Sequence, residues 1–292
     1  MSDRAQRQIW LCADDYGISP AVSKAIRDLI ARQRINATSV MVTAPSFARG
    51  EAAALLEKAG THAAIGLHVT LTAPLQPLAQ GFAPLRGGTF PPLAAMARRA
   101  LMRTLTLELL AKEIASQFAA FYDAFGRAPD FVDGHQHIHV FPQIREALVR
   151  AVRDAAPQAW LRQCGRAEAA RKGLADPKAA FLDRLSRRLH TLAREQGVRT
   201  NPAFAGTYAF KARADYARLF PAFLDGLPEG GVVMCHPGVV DAELRRLDPL
   251  TDLREREYDF FSAESFPRLL AAHGVVLARP VSAHSGEGAN PD

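Results

Sequence analysis

Ile9-Trp10-Leu11-Cys12-Ala13-Asp14-Asp15-Tyr16-Gly17 begins as a short apolar run and ends in two adjacent carboxylates and a glycine. Ser19-Pro20 follows, serine placed as a helix cap and proline at the first helical position. Val22, Ala25, Ile26, Leu29 and Ile30 then form one apolar stripe at helical spacing. The pattern is strand, polar turn, helix. In α/β folds the carboxyl ends of strands are where sites are built. Side chains alternate along a strand, so a strand continued through both carboxylates sends Asp14 and Asp15 to opposite faces. At a strand-to-loop junction both can reach one cavity. Alone, such a turn is more often structural, because Asp and Gly are common turn residues.

Outward from this stretch the same alternation repeats. Further strands are expected at Ala37 to Val42, Ala64 to Leu71, Trp160-Leu161-Arg162, Gly231 to His236 and Val275 to Ala278, with a strand and turn over Asp130 to Val140. Helices are expected from Ser46 to about Ala59, at Leu93 to Arg103 and Thr106 to Phe125, from Pro142 to about Ala156, and at Thr251 to His273. Leu110, Ile114, Phe118, Phe121 and Phe125 give the longest of these a clear core stripe. Residues 165 to 230 read as helical stretches around a loop at Asn201 to Thr207 and are the least informative. Strands alternating with helices argue for a parallel sheet or barrel, and no linker separates domains. Residues 1–280 are read as one domain, with 281–292 as a disordered tail.

The chain has 292 residues, 48% of them hydrophobic, enough for a large core. No apolar run reaches the length of a membrane span, and Met1 to Gln8 lacks an apolar signal region, so a cytoplasmic protein is expected. Cys12, Cys164 and Cys235 are scattered without zinc-finger spacing, and Cys12 and Cys235 read as buried reduced thiols. The net charge of +6 comes from arginines spread along helices, a solvated shell rather than a nucleic-acid surface, so no nucleic-acid partner is expected.

Residues 73 to 92 hold Pro74, Pro77, Pro84, Pro91, Pro92, Gly81, Gly87 and Gly88, directly after the strand carrying His68. Long irregular loops in compact domains are commonly lids, and this one is read as a lid or substrate-binding loop. Phe131-Val132-Asp133-Gly134-His135-Gln136-His137-Ile138-His139 is the most distinctive string. If it is extended, its three histidines share a face. Neutral imidazole is the commonest protein ligand for zinc-like metals, and two histidines with a carboxylate leave a position open for water. A lone histidine is usually a satisfied core residue; three of the nine within five residues are not readily explained so. His68 lacks an obvious partner in its strand, and His236 ends another before Pro237.

Taken together, these strings resemble the YdjC-type carbohydrate deacetylases. The resemblance runs through Ala13-Asp14-Asp15-Tyr16-Gly17-Ile18-Ser19, Thr38-Ser39-Val40-Met41-Val42 and Gly66-Leu67-His68-Val69-Thr70-Leu71-Thr72. It continues through Asp133 to His139, Met234-Cys235-His236-Pro237-Gly238 and Arg254-Glu255-Arg256-Glu257. It implies a deformed TIM-like (β/α) barrel and metal-dependent removal of the acetyl group from an acetylated amino sugar. It also implies that Asp15, His68 and His135 bind one divalent cation, with Asp14 as general base and His236 as general acid. His137, His139 and Arg162 are expected to touch substrate or to support these groups. Zinc or magnesium is the expected cation, with manganese or cobalt also suited to such ligands. The partner is the acetylated sugar, with a homodimer as a further assembly to consider. Gln136 stands where the family often has a histidine; on a strand it would point away from His135 and His137. Two other readings stand beside this one. One is a metal hydrolase for a different amide or ester. The other is a noncatalytic sugar- or metal-binding descendant, which would need neither Asp14 nor His236.

Overall fold

The computed structural model describes residues 6–47, 50–171, 177–209 and 214–278; the terminal segment 281–292, expected to be disordered, lies outside the described residues. Among the described residues nine strands run in chain order as β1 (Arg7–Tyr16), β2 (Ala37–Val40), β3 (Ala64–Val69), β4 (Phe131–Gly134), β5 (Trp160–Leu161), β6 (Arg199–Thr200), β7 (Phe204–Ala205), β8 (Val232–Cys235) and β9 (Val275–Leu277). Eight form a curled sheet in the order β6-β5-β4-β3-β2-β1-β8-β7, every neighbour parallel, and β9 pairs with the beginning of β1. Helices cover its outer face, as parallel strands require. This is the expected deformed barrel.

The ends of the sheet are drawn together by short contacts instead of a full ladder. Gly165 O accepts from Phe204 N at 2.9 Å, and Asn201 Nδ2 donates to Gln163 O and Ala203 O. The strands β6 and β7 lie inside the stretch that the sequence pattern leaves as helix and loop. Two residues each are too few to show a period of two.

Two helix boundaries also differ from expectation. The helix expected from Ser46 starts at Glu51, behind a Gly50 cap at φ +92°, because successive turns first seat Phe47 against Phe125 with ring centroids 5.9 Å apart. The long final helix is two, Asp252–Ser262 and Ser265–Ala272. Pro267 explains the break: it has no N–H and its ring would meet the carbonyl four residues back. Among the described residues no helix is long and apolar enough to cross a membrane.

Among the described residues β1 pairs with three strands, β2, β8 and β9, and one buried side chain fixes its lower half. Asn36 Oδ1 accepts from Leu11 N at 2.7 Å, while its Nδ2 donates to Ile9 O at 3.0 Å and Ala278 O at 2.7 Å. Asn36→Ala removes all three and leaves buried backbone groups unpaired. Equilibrium urea unfolding should show a loss of about 2–4 kcal/mol.

Candidate active site

The two carboxylates that end β1 face one cavity because the strand is bulged. Ala13 aligns with Thr38 and Tyr16 with Val40, so Asp14 and Asp15 together oppose the single residue Ser39. Asp15 takes up the extra length at φ +67°, a conformation that costs a non-glycine residue on the order of 1 kcal/mol. Strict alternation is thereby broken. Ser39, the residue opposite, donates to Asp14 Oδ1 at 3.2 Å and lies 3.0 Å from His68 Nδ1.

β3 and β4 bring His68 and Asp133 into register, and His68 Nδ1 meets Asp133 Oδ1 at 2.6 Å. His68 Nε2 is 3.2 Å and His135 Nδ1 3.0 Å from Asp15 Oδ1. One ligand atom from each of Asp15, His68 and His135 lies within 4.8 Å of the others.

Beyond Gly134 the chain is not extended: the strand and turn expected over Asp130 to Val140 divide there, which corrects the extended reading of the histidine string. His135–Val140 is a tight 3₁₀ turn with Gln136 at φ +54° and His137 at φ +57°. The three histidines therefore do not share a face. His135 points at Asp15. His137 lies 3.6 Å from Cys164 Sγ and edge-on to Phe204. His139 is buried behind the turn, its Nε2 2.8 Å from Arg162 O. A Cβ at Gly134 would sit 2.9 Å from His139, so the turn needs glycine there. Gln136, expected to point away, lines the cavity beside its neighbours.

That cavity has a volume of about 330 Å³. Asp14, Asp15, His68, His135, His137 and His236 line it, with Gln136, Met234 and the segment Asp248-Pro249-Leu250 completing the wall. His139 and Arg162 do not reach it. Arg162 lies beneath, fully buried, forking onto Asp14 at 2.7 and 2.8 Å and reaching Asp133 Oδ2 at 2.6 Å. The stretch 73–92 supplies none of the lining; Leu78 N and Ala79 N donate to Glu113 on the helix Leu107–Phe125. A larger groove of about 530 Å³ lies between that helix and Ile144–Ala155, but half of its lining residues are alanines.

Residues with no role assigned from sequence complete the site. Asp133 and Arg254 stand inside recognisable strings, and Asp133 could have been found as the register partner of His68. Arg254 Nη2 donates at 2.6 Å to both Asp15 Oδ2 and Asp248 Oδ2, a convergence of distant segments with no local signal. Glu257, on the same helix as Arg254, accepts from His236 N at 2.5 Å and from Tyr208 at 2.7 Å.

Burial acts against charge throughout, and the partners decide the outcome. It would raise Asp14, but the Arg162 guanidinium holds that carboxyl below its usual range. Asp15 is likewise held down, against burial, by His135 and Arg254. Burial would lower His68, yet the Asp133 carboxylate pushes it up to about 10. His137 and His139 lack such a partner, and burial takes each down to about 3. Burial raises Glu257 to about 7.

The YdjC-like protein family matches residues 8–272. The chain belongs to this family. A chitooligosaccharide deacetylase from Escherichia fergusonii is 28% identical over 280 residues, covering 93% of this chain and 97% of that protein. A crystal structure from Enterococcus faecalis V583, named provisionally for cellobiose-phosphate cleavage, superposes with a TM-score of 0.74 at 21% identity, covering 94% of this chain and 97% of that one. The two chains share the fold.

In this YdjC-like site the Asp133 charge is what keeps a proton on His68 when no cation is bound. Asp133→Asn should lower the His68 pKa from about 10 by at least about one unit, read by NMR titration of metal-free protein. An unchanged value would remove Asp133 as the cause.

Proposed function

We propose that this chain is a metal-dependent carbohydrate N-deacetylase, an amide hydrolase that frees the amine of an N-acetylated amino sugar. The observation that carries the reading is the convergence of one carboxylate and two imidazoles on a cavity that Asp14 and His236 also line. Membership of the YdjC-like family and the likeness to a chitooligosaccharide deacetylase support it.

The donor set suits a divalent cation held by Asp15, His68 and His135, zinc, manganese or cobalt more readily than magnesium. The surrounding charge suits one too. Asp14, Asp15, Asp133 and Asp248 meet two arginines, Arg162 and Arg254, so with His68 and His135 neutral, as metal ligands must be, these groups carry an excess of two negative charges in a largely buried site. With Nδ1 of His68 donating to Asp133, its Nε2 lone pair is directed to the Asp15 side, the usual orientation of a supported ligand. When bound, the cation would polarise the amide carbonyl and acidify the attacking water.

The rest belongs to the chain. Asp14, kept ionised and fixed in plane by the Arg162 fork, accepts the proton of the water. His236, its backbone N–H held by Glu257, protonates the departing amine. Met234 and Leu250 offer apolar surface beside these polar groups, in a cavity within the size range of small-molecule sites. The segment 73–92 would meet parts of a larger substrate that lie outside the cavity.

Asp14→Asn should keep the metal and lose about a hundredfold to ten-thousandfold in rate on acetylated chitooligosaccharides. Asp15→Asn should weaken metal binding, because an amide oxygen carries no charge to offset the cation. Metal analysis beside acetate release separates the two. The opposite pattern would exchange their roles, and full activity in both would end the mechanism.

One observation favours a second assignment of the proton. Burial holds His236 below the ordinary histidine value of 6.5, which suits a neutral ring that takes the proton of the water and then returns it to the amine. Asp14 would then act only as a fixed negative charge. The pH dependence of kcat/KM at saturating metal distinguishes them. An acid must be protonated, so the rate should fall as pH rises through a value below 6.5. A rate that rises through that value makes His236 the base.

A further inference from the structure

A cleft of about 490 Å³ opens on the outer wall between the helices Ile144–Ala155 and Pro177–Glu195. Arg145, Arg184, Arg187 and Arg188 line it, with Glu146 and Glu195. The spacing of Arg184, Arg187 and Arg188 puts them on one helix face. All three are exposed, and none has a hydrogen bond or carboxylate partner among the described residues. Arg145 faces them from the other helix with its side chain only 7% exposed. Its contacts are long: 3.4 Å to Glu146 Oε1 and 3.4 Å to Val140 O. Burial, and then the charges of Arg188 and Arg103, pull its pKa down in spite of Glu146.

Four guanidiniums around two carboxylates leave an excess of two positive charges in a concave site. Arginine forks match phosphate oxygens two at a time. Arg145, nearly buried beside three exposed arginines, favours a ligand small enough to enter over a planar surface such as a bilayer. We propose that this cleft binds the phosphate dianion of a soluble, phosphate-bearing small molecule. Arg145 links it to the catalytic side, since its guanidinium touches Val140 O and its N–H donates to Phe141 O at 2.9 Å, at the end of the histidine turn. The proposal is independent of the deacetylase reading.

Titration calorimetry with glucose 6-phosphate, in about 0.1 M salt so that distant charges are screened, tests it. Arg184→Ala/Arg188→Ala should bind about tenfold more weakly or worse, the loss of at least one charge-assisted contact. Arg98→Ala/Arg99→Ala removes the same charge from another exposed helix and should bind like wild type. Glucose alone should give no heat that depends on Arg184 and Arg188. The proposal fails if wild type does not bind the phosphate, or if both double variants lose the same affinity. It also fails if phosphatidylglycerol vesicles, and not glucose 6-phosphate, show the dependence on Arg184 and Arg188.

Discussion

Two carboxylates cannot share a protein interior in ionised form without a cation between them, and Arg162 is that cation for Asp14 and Asp133. Burying a single unpaired carboxylate costs so much that the group protonates instead. The planar guanidinium removes that outcome for Asp14 and pairs with Asp133 at the same time. Because it arrives from the end of β5, it ties together β1, β4 and β5 at the level of the cavity floor. The fork also fixes the plane of Asp14, and Asp133, held in turn, orients His68. Arg254 does the corresponding work for Asp15 from the helical side and extends it to Asp248 on the cavity wall. The geometry of the acidic cluster is therefore set by two arginines that the cavity itself does not expose.

Much of this was legible in the sequence. Apolar runs ending in Asp14-Asp15, His68, Asp133 to His135 and His236 marked strand ends, because a buried parallel strand must be apolar and its carboxyl end need not be. What stayed hidden depended on neighbours distant in the chain. The left-handed backbone at Asp15, Gln136 and His137 is not announced by glycine, so the sequence left a strand-to-loop junction open at the carboxylates and offered the histidines a shared face only if extended. The outcome at Asp15 keeps both carboxylates in one cavity, whereas at the histidine turn it separates His139 from His135. Arg162 was named as a supporting residue only through the family resemblance, and Arg254 was given no role, for a related reason. Nothing local distinguishes Arg162 or Arg254 from the many arginines on solvated helices; only the fold buries them.

The strand that carries the first two carboxylates has a further consequence for how the molecule is made. β1 is synthesised first, yet it pairs with β8 and β9, which lie more than two hundred residues later. Its other edge finds β2 almost at once. A nascent chain thus holds an apolar strand with one open edge until β8 has left the ribosome. Closing that edge requires long loops to be ordered late, which slows folding and leaves intermediates prone to association. The same strand that organises the finished site is, during synthesis, the part of the chain most in need of shelter.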